Sequence, residues 1–229
     1  MPRKPMAKRE KQGTCVLCGY YGEITRDHAP PKVVFPAPRP SNCITVPSCS
    51  KCNGGMSDLD EDFGNFMAFL AAQASSEGKR LWEDRLPGIK RNTRKFNEII
   101  ASIRSRPVVN PDGLFTGVQH MVPFTPTKFT PIYDKCFRAL YFQKFGKIYP
   151  INLDFEYFYP RDLTGQNAEL LSYLFTRNIG ANHVFYCGVA QAIESEDVFA
   201  GLLLFYERLA VVGITADLSR FAPNSNEDG

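Results

Sequence analysis

No stretch of this 229-residue chain reaches the ~18 consecutive apolar residues that a membrane-spanning helix needs. The longest uncharged run, residues 178–193, contains Asn182, His183 and Gln191, so no membrane partner is expected. The 17 Gly and 17 Pro follow no period, which excludes collagen-like and low-complexity classes. There is no internal repeat, no G-x-G-x-x-G fingerprint and no P-loop. The first 13 residues are basic and have no apolar core, so they do not read as a secretory signal. A cytoplasmic, reducing setting is expected. The seven cysteines then favour metal binding over disulfides, because four of them form two C-x-x-C pairs.

The net charge of +3 hides an asymmetry. Residues 1–106 carry 18 Lys/Arg against 11 Asp/Glu, and residues 107–229 carry 9 against 13. The back half also holds 13 of the 18 Phe and 8 of the 10 Tyr, enough for an aromatic core. A basic front half points to nucleic acid as partner. The pattern predicts an α+β fold: a small cysteine-bearing domain, then a larger domain with a mainly antiparallel sheet. The expected divisions are a disordered basic tail at 1–12, a metal-stapled domain at 13–76, a basic helical connector at 77–106, an α+β domain at 107–218 and a loose tail at 219–229. The two halves are expected to separate between residues 77 and 107.

Local signals fill in this outline. Short strands fit residues 23–26 and 43–46. Ser57 is placed to cap a helix running to about Ala74, with Asp58, Asp60, Glu61 and Asp62 read as acidic first-turn charge. Pro87 and Gly88 should split the helical zone of residues 79–106. Asn110-Pro111-Asp112-Gly113 reads as the turn of a hairpin. A helix is expected at 131–145, stopped by Gly146, then a strand at 148–159 and a helix at 166–176. Two or three strands, at 183–193, 201–206 and 209–215, complete the domain.

Cys15-Val-Leu-Cys18 and Cys49-Ser-Lys-Cys52 are two knuckles separated by thirty residues. Two C-x-x-C turns supply four thiolates for a tetrahedral zinc and order a segment too small for its own core. Cys43, Cys136 and Cys187 read as packing residues. Thirty residues exceed a simple zinc ribbon, and they house Thr25-Arg26-Asp27-His28-Ala29-Pro30-Pro31; Asn53 directly follows the second knuckle.

The order CVLCG, TRDHAPP and SNCITVPSCSKCNGG resembles the HNH endonuclease family, with its ββα-metal fold, over about residues 13–70. The resemblance implies that Asp27 and Asn53 hold a catalytic Mg²⁺ or Mn²⁺ and that His28 is the general base. The family's middle Asn usually lies closer to the second knuckle than Asn42, which leaves Asn42 as a candidate orienting residue. A hard cation suits carboxylate and amide oxygens, and a neutral imidazole can take a proton from water near neutral pH. Adjacent side chains on a strand point to opposite faces, so Asp27 and His28 share one site only if the chain bends there. Arg26, Lys32 and Lys51 are candidate phosphate contacts, with Lys90, Arg91, Arg94 and Lys95 as a further basic cluster. The expected function is hydrolysis of nucleic-acid phosphodiester bonds, with DNA as the favoured substrate. The alternative is a non-catalytic, zinc-stapled nucleic-acid-binding or scaffold module. A third possibility is that the back half, residues 107–218, binds an activating ligand or a protein partner that controls the nuclease.

Overall fold

The computed structural model describes residues 11–121, 123, 125–160, 177–179, 184–191 and 199–215. Its first sheet is antiparallel, in the order β1 (Lys11–Thr14), β2 (Tyr21–His28) and β3 (Thr45–Cys49). Lys11 and Gln12 therefore lie in a strand and not in a disordered tail. An edge strand is held by its backbone ladder, so it needs no apolar pattern, and Lys11 and Gln12 are exposed. β2 extends the strand expected at 23–26 in both directions, and β3 begins two residues later than expected.

β3 runs into α1 (Ser50–Gly54), a single turn carrying Cys52 and Asn53, and then into α2 (Ser57–Ala71). Ser57 is the first helical residue of α2; Met56 occupies the cap and no side chain caps the end. α3 (Ser76–Arg91) is capped by Ser75, whose Oγ accepts from the Gly78 N–H at 3.0 Å. Pro87 lies inside this helix, and the expected break falls instead at Asn92, before α4 (Thr93–Ser102). α3 returns along α2: Leu81 and Ile89 are buried, Trp82 meets Phe69 edge-on, and Arg85 donates to Asn65 at 2.7 Å. The basic connector thus packs as part of the front half.

β4 (Arg104–Val109) and β5 (Phe115–Met121) form the expected hairpin, with Gly113 at φ +81° in its turn. α5 (Thr130–Phe145) ends where expected, because Gly146 adopts φ +68° and donates to the Phe142 carbonyl. Residues 148–155 do not continue a strand; only β6 (Glu156–Phe158) does. The reason is Arg138, whose guanidinium takes the carbonyls of Pro150 at 3.2 Å and Leu153 at 3.0 Å. Backbone acceptors engaged by a side chain have less need of a neighbouring strand.

The second sheet is antiparallel throughout, in the order β6, β10 (Leu209–Ile214), β9 (Phe199–Phe205), β8 (Phe185–Gln191) and β7 (Arg177–Ile179). The helix expected at 166–176 lies outside the described residues. Phe137 of α5 presses on this sheet, and a Cβ at Gly201 or Gly213 would come within 2.6 Å of its ring. Glycine is what allows that approach.

One apolar cluster runs through both halves. It contains Val16, Val34, Ile44, Phe63 and Met67 from the front and Tyr133, Phe137, Phe185, Phe205 and Val211 from the back. Phe63 packs edge-on against Phe205 at 5.3 Å, and Phe35 against Phe185 at 6.4 Å. At the β9–β10 turn, Tyr206 and Glu207 both adopt φ +53°, an unfavourable region for side chains of their kind. There the Tyr206 hydroxyl donates to the Val34 carbonyl at 2.8 Å. The expected point of separation, residues 77–107, is therefore bridged by a continuous core. Among the described residues, no helix is long and apolar enough to cross a membrane.

Candidate metal centre

The two knuckles converge because β3 pairs with β2 and brings Cys49 opposite Ile24. The first knuckle closes on itself through Cys15 N–H to Tyr20 O at 2.8 Å and Gly19 N–H to Cys15 O at 2.9 Å. Val16 N–H then reaches the Pro47 carbonyl at 3.0 Å, fixing that turn to β3. The sulfurs of Cys15, Cys18, Cys49 and Cys52 lie within 4.8 Å of one another. A tetrahedral zinc with Zn–S bonds near 2.3 Å would space its sulfurs at about 3.8 Å, and Cys18 and Cys49 stand 3.8 Å apart. Four cysteines so placed can hold a metal ion such as zinc.

The local electrostatics differ among the four thiols. Burial raises Cys15, but N–H groups of Cys49, Leu17 and Cys18 outweigh it and bring the thiol down to about 7. Burial raises Cys18, and burial with the neighbouring thiols raises Cys52 well above the usual thiol range. The backbone thus favours one thiolate, while Cys18 and Cys52 need a cation to lose their protons. Cys43 stands outside the cluster and donates to the Pro40 carbonyl at 3.2 Å. Cys136 and Cys187 are buried in the core.

Asp27, His28 and Asn53 lie near one another along the same ββα element, but they do not converge as one set. β2 remains regular through Asp27↔Val46 and His28↔Thr45, so the two side chains project to opposite faces. The chain turns away only after His28, at Ala29-Pro30. Asp27 is buried, and its Oδ1 accepts from the His28 N–H at 2.8 Å and from Lys135 Nζ at 3.3 Å. His28 is half-buried; burial lowers its pKa, and Lys32, Arg26 and Lys135 push it the same way against Asp27. It therefore stays neutral near pH 7. Asn53 donates its amide N–H to Thr25 Oγ1 at 2.7 Å and to the Arg26 carbonyl at 3.3 Å. Its nitrogen is committed to β2, and its oxygen is the atom left for a ligand.

The remaining expected residues lie around this element. Arg26, Lys32 and Lys51 are exposed, as are Lys90 and Arg91 at the end of α3 and Arg94 at the start of α4. The Lys95 side chain lies outside the described residues. Asn42 is exposed in the turn before β3, and Ile44, two residues on, belongs to the core.

Two participants escaped the sequence reading. Asp60 is more than first-turn helix charge: its Oδ2 lies 3.6 Å from Lys135 Nζ, and burial raises its pKa. Lys135 itself is buried in the middle of α5. The available signal was a group of charges, Asp134, Lys135 and Arg138, around Cys136 in a segment otherwise rich in apolar residues. No family model, no curated protein and no solved structure matches this chain.

Proposed function

We propose that residues 13–76 form an HNH-type, metal-dependent endonuclease domain, in which a structural zinc on the four cysteines staples a ββα element. One observation carries this reading. The cysteine cluster ties the β2–β3 hairpin to α1, and Asn53, directly behind the last cysteine, reaches back to β2 beside Asp27 and His28. Support for a second, hard cation comes from an orphan: Asp27 Oδ2 is buried without a hydrogen-bond partner. Such an oxygen is costly to leave unmet, and a carboxylate oxygen suits Mg²⁺ or Mn²⁺. Asp27 and the Asn53 amide oxygen are the residues that would hold it. The bound cation would offset negative charge on the phosphodiester.

The protein's own residues supply the other parts of the reaction. The neutral imidazole of His28 accepts a proton from the attacking water. Exposed Arg26, Lys32 and Lys51 bind backbone phosphates flanking the cut, so affinity falls steeply with salt. DNA is the favoured substrate, and the cytoplasm the favoured setting.

A second reading, a zinc-stapled nucleic-acid-binding or scaffold module without catalysis, draws on a different observation. Asp27 is already ion-paired with Lys135 and faces away from His28. Incubating the full chain with plasmid, single-stranded DNA and RNA under varied Mg²⁺ or Mn²⁺ separates the two. The nuclease reading expects cleavage, and His28→Ala should lose at least about a hundredfold in rate while keeping zinc and nucleic-acid affinity. Raised Mn²⁺ should partly rescue Asp27→Ala and Asn53→Ala but not His28→Ala. Because the His28 pKa is depressed, its base form persists to lower pH. The acid limb of kcat/KM should lie below the ordinary imidazole value of about 6.5 and fall about tenfold per pH unit. A folded wild type that binds nucleic acid but cuts none, with any divalent ion, leaves the binding-module reading.

A further inference from the structure

Between the two halves lies a buried ion cluster in which charges and hydrogen bonds do not balance. Lys135 Nζ stands 3.3 Å from Asp27 Oδ1 and 3.6 Å from Asp60 Oδ2. The side chains of Lys135 and Asp27 are only 2% and 6% exposed, so water screens this pair poorly. One ammonium faces two carboxylates. Each carboxylate also keeps a buried oxygen without a partner, Oδ2 on Asp27 and Oδ1 on Asp60. A closed structural ion pair satisfies its lone pairs, and this one does not.

The asymmetry at Asp27 has a direction. Its Oδ1 is taken by two donors, the His28 N–H at 2.8 Å and the Lys135 ammonium. Both donors pull on the same oxygen, so the carboxylate is locked in rotation and Oδ2 alone is presented to a further ligand. Lys135 is held in turn from α2 by Asp60. We infer that Lys135 is a positioning residue for Asp27: it fixes the carboxylate through Oδ1 and reserves Oδ2 for the divalent cation, with Asp60 anchoring the ammonium. This inference rests on the metal-dependent reading above and deepens it. It also gives the back half a role in that site, since α5 supplies the ammonium that orients a carboxylate on β2.

A positively charged neighbour can also act in the opposite sense, by standing where the cation would stand. The two roles differ in sign. If Lys135 orients Asp27, removing it weakens cation binding; if it occupies the cation's place, removing it strengthens binding.

The test is Mn²⁺ binding to the zinc-loaded full chain, read by the loss of the free-Mn²⁺ paramagnetic resonance signal. Wild type, Asp27→Asn, Lys135→Met, Lys135→Arg and Asp60→Asn are compared, with zinc content and near-UV circular dichroism reporting the fold. Outer-shell partners of metal ligands typically contribute ten- to a hundredfold in affinity. Wild type should bind Mn²⁺ in an Asp27-dependent way. Lys135→Met should weaken it by roughly ten- to a hundredfold, Lys135→Arg should restore most of it, and Asp60→Asn should fall between. If Lys135→Met does not fold, weakening in folded Asp60→Asn carries the test. Unchanged or tighter binding in folded Lys135→Met, or in Asp60→Asn, overturns the positioning role and leaves the metal site standing. A wild type that binds no Mn²⁺, or binds it as Asp27→Asn does, overturns the metal reading and this inference with it.

Discussion

The front half and the back half of this chain solve the same problem, how to hold a small α+β unit together, by different means. From Cys15 to Cys52 the chain is turns and short strands, and four clustered sulfurs could hold a metal ion such as zinc that gathers it at a single point. From α5 onward an aromatic core does the work: Phe137 meets Phe155 at 5.5 Å and Tyr157 at 6.0 Å, and Tyr149 stacks on Phe155 at 4.7 Å. Area buried by rings is spread over many contacts and degrades gradually. A four-ligand centre is concentrated and fails all at once. The front is nonetheless not independent, because Phe63, Val34 and Phe35 bury themselves against the back half.

The largest break in this comparison should come from the metal. Structural zinc in small domains contributes on the order of 10 kcal/mol of folding free energy. Zinc removal, or Cys49→Ser, should therefore unfold the front half and, through the shared core, destabilise the back half with it, seen as lost far-UV signal and lost zinc by elemental analysis. Cys43→Ser, outside the cluster, should keep both. A chelator-washed chain that holds no zinc and melts as before would show that the apolar packing alone suffices.

Next in size is the shared core. Phe63→Ala removes a fully buried ring that touches Phe129, Tyr133 and Phe205, and should cost about 3–5 kcal/mol. Since the ring joins the halves, urea unfolding followed by the signals of both should shift together, in one transition. Two separated transitions would show halves that fold on their own. By the same logic a fragment starting near Arg106 exposes Phe185 and Phe205, and should be less soluble than the whole chain.

The smallest effect lies at the β9–β10 turn. Tyr206→Phe deletes the hydroxyl that reaches the Val34 carbonyl and should cost about 1 kcal/mol in chemical denaturation. A neutral result would place the strain-tolerating force at this turn in ring packing instead.

Much of the back half was legible because its signals are local. Asn110 to Gly113 form a hairpin turn by their own conformational preferences, and Gly146 ends α5 because it accepts a left-handed backbone. Alternating and continuous apolar runs marked β8, β9 and β10 to within two residues at each end. The same reading failed at residues 148–155, where a side chain ten or more residues earlier, Arg138, claims the carbonyls. It failed at Pro87 too, where packing of α3 on α2 held the helix intact.

At the site, the sequence by itself determined the four cysteines and the order Asp27, His28, Asn53, because knuckle spacing and adjacency are properties of the chain. Only the tertiary structure decided what those residues face. Lys135 lies 108 positions beyond Asp27, and no local pattern can pair two residues across that distance. Asp60 looked like ordinary helix-end charge until α5 was laid across it. The direction of Asp27 follows from strand alternation together with the helix packed beneath it. Covalent spacing sets which ligands can meet, and the packing of remote elements sets the charge and burial in which they do so.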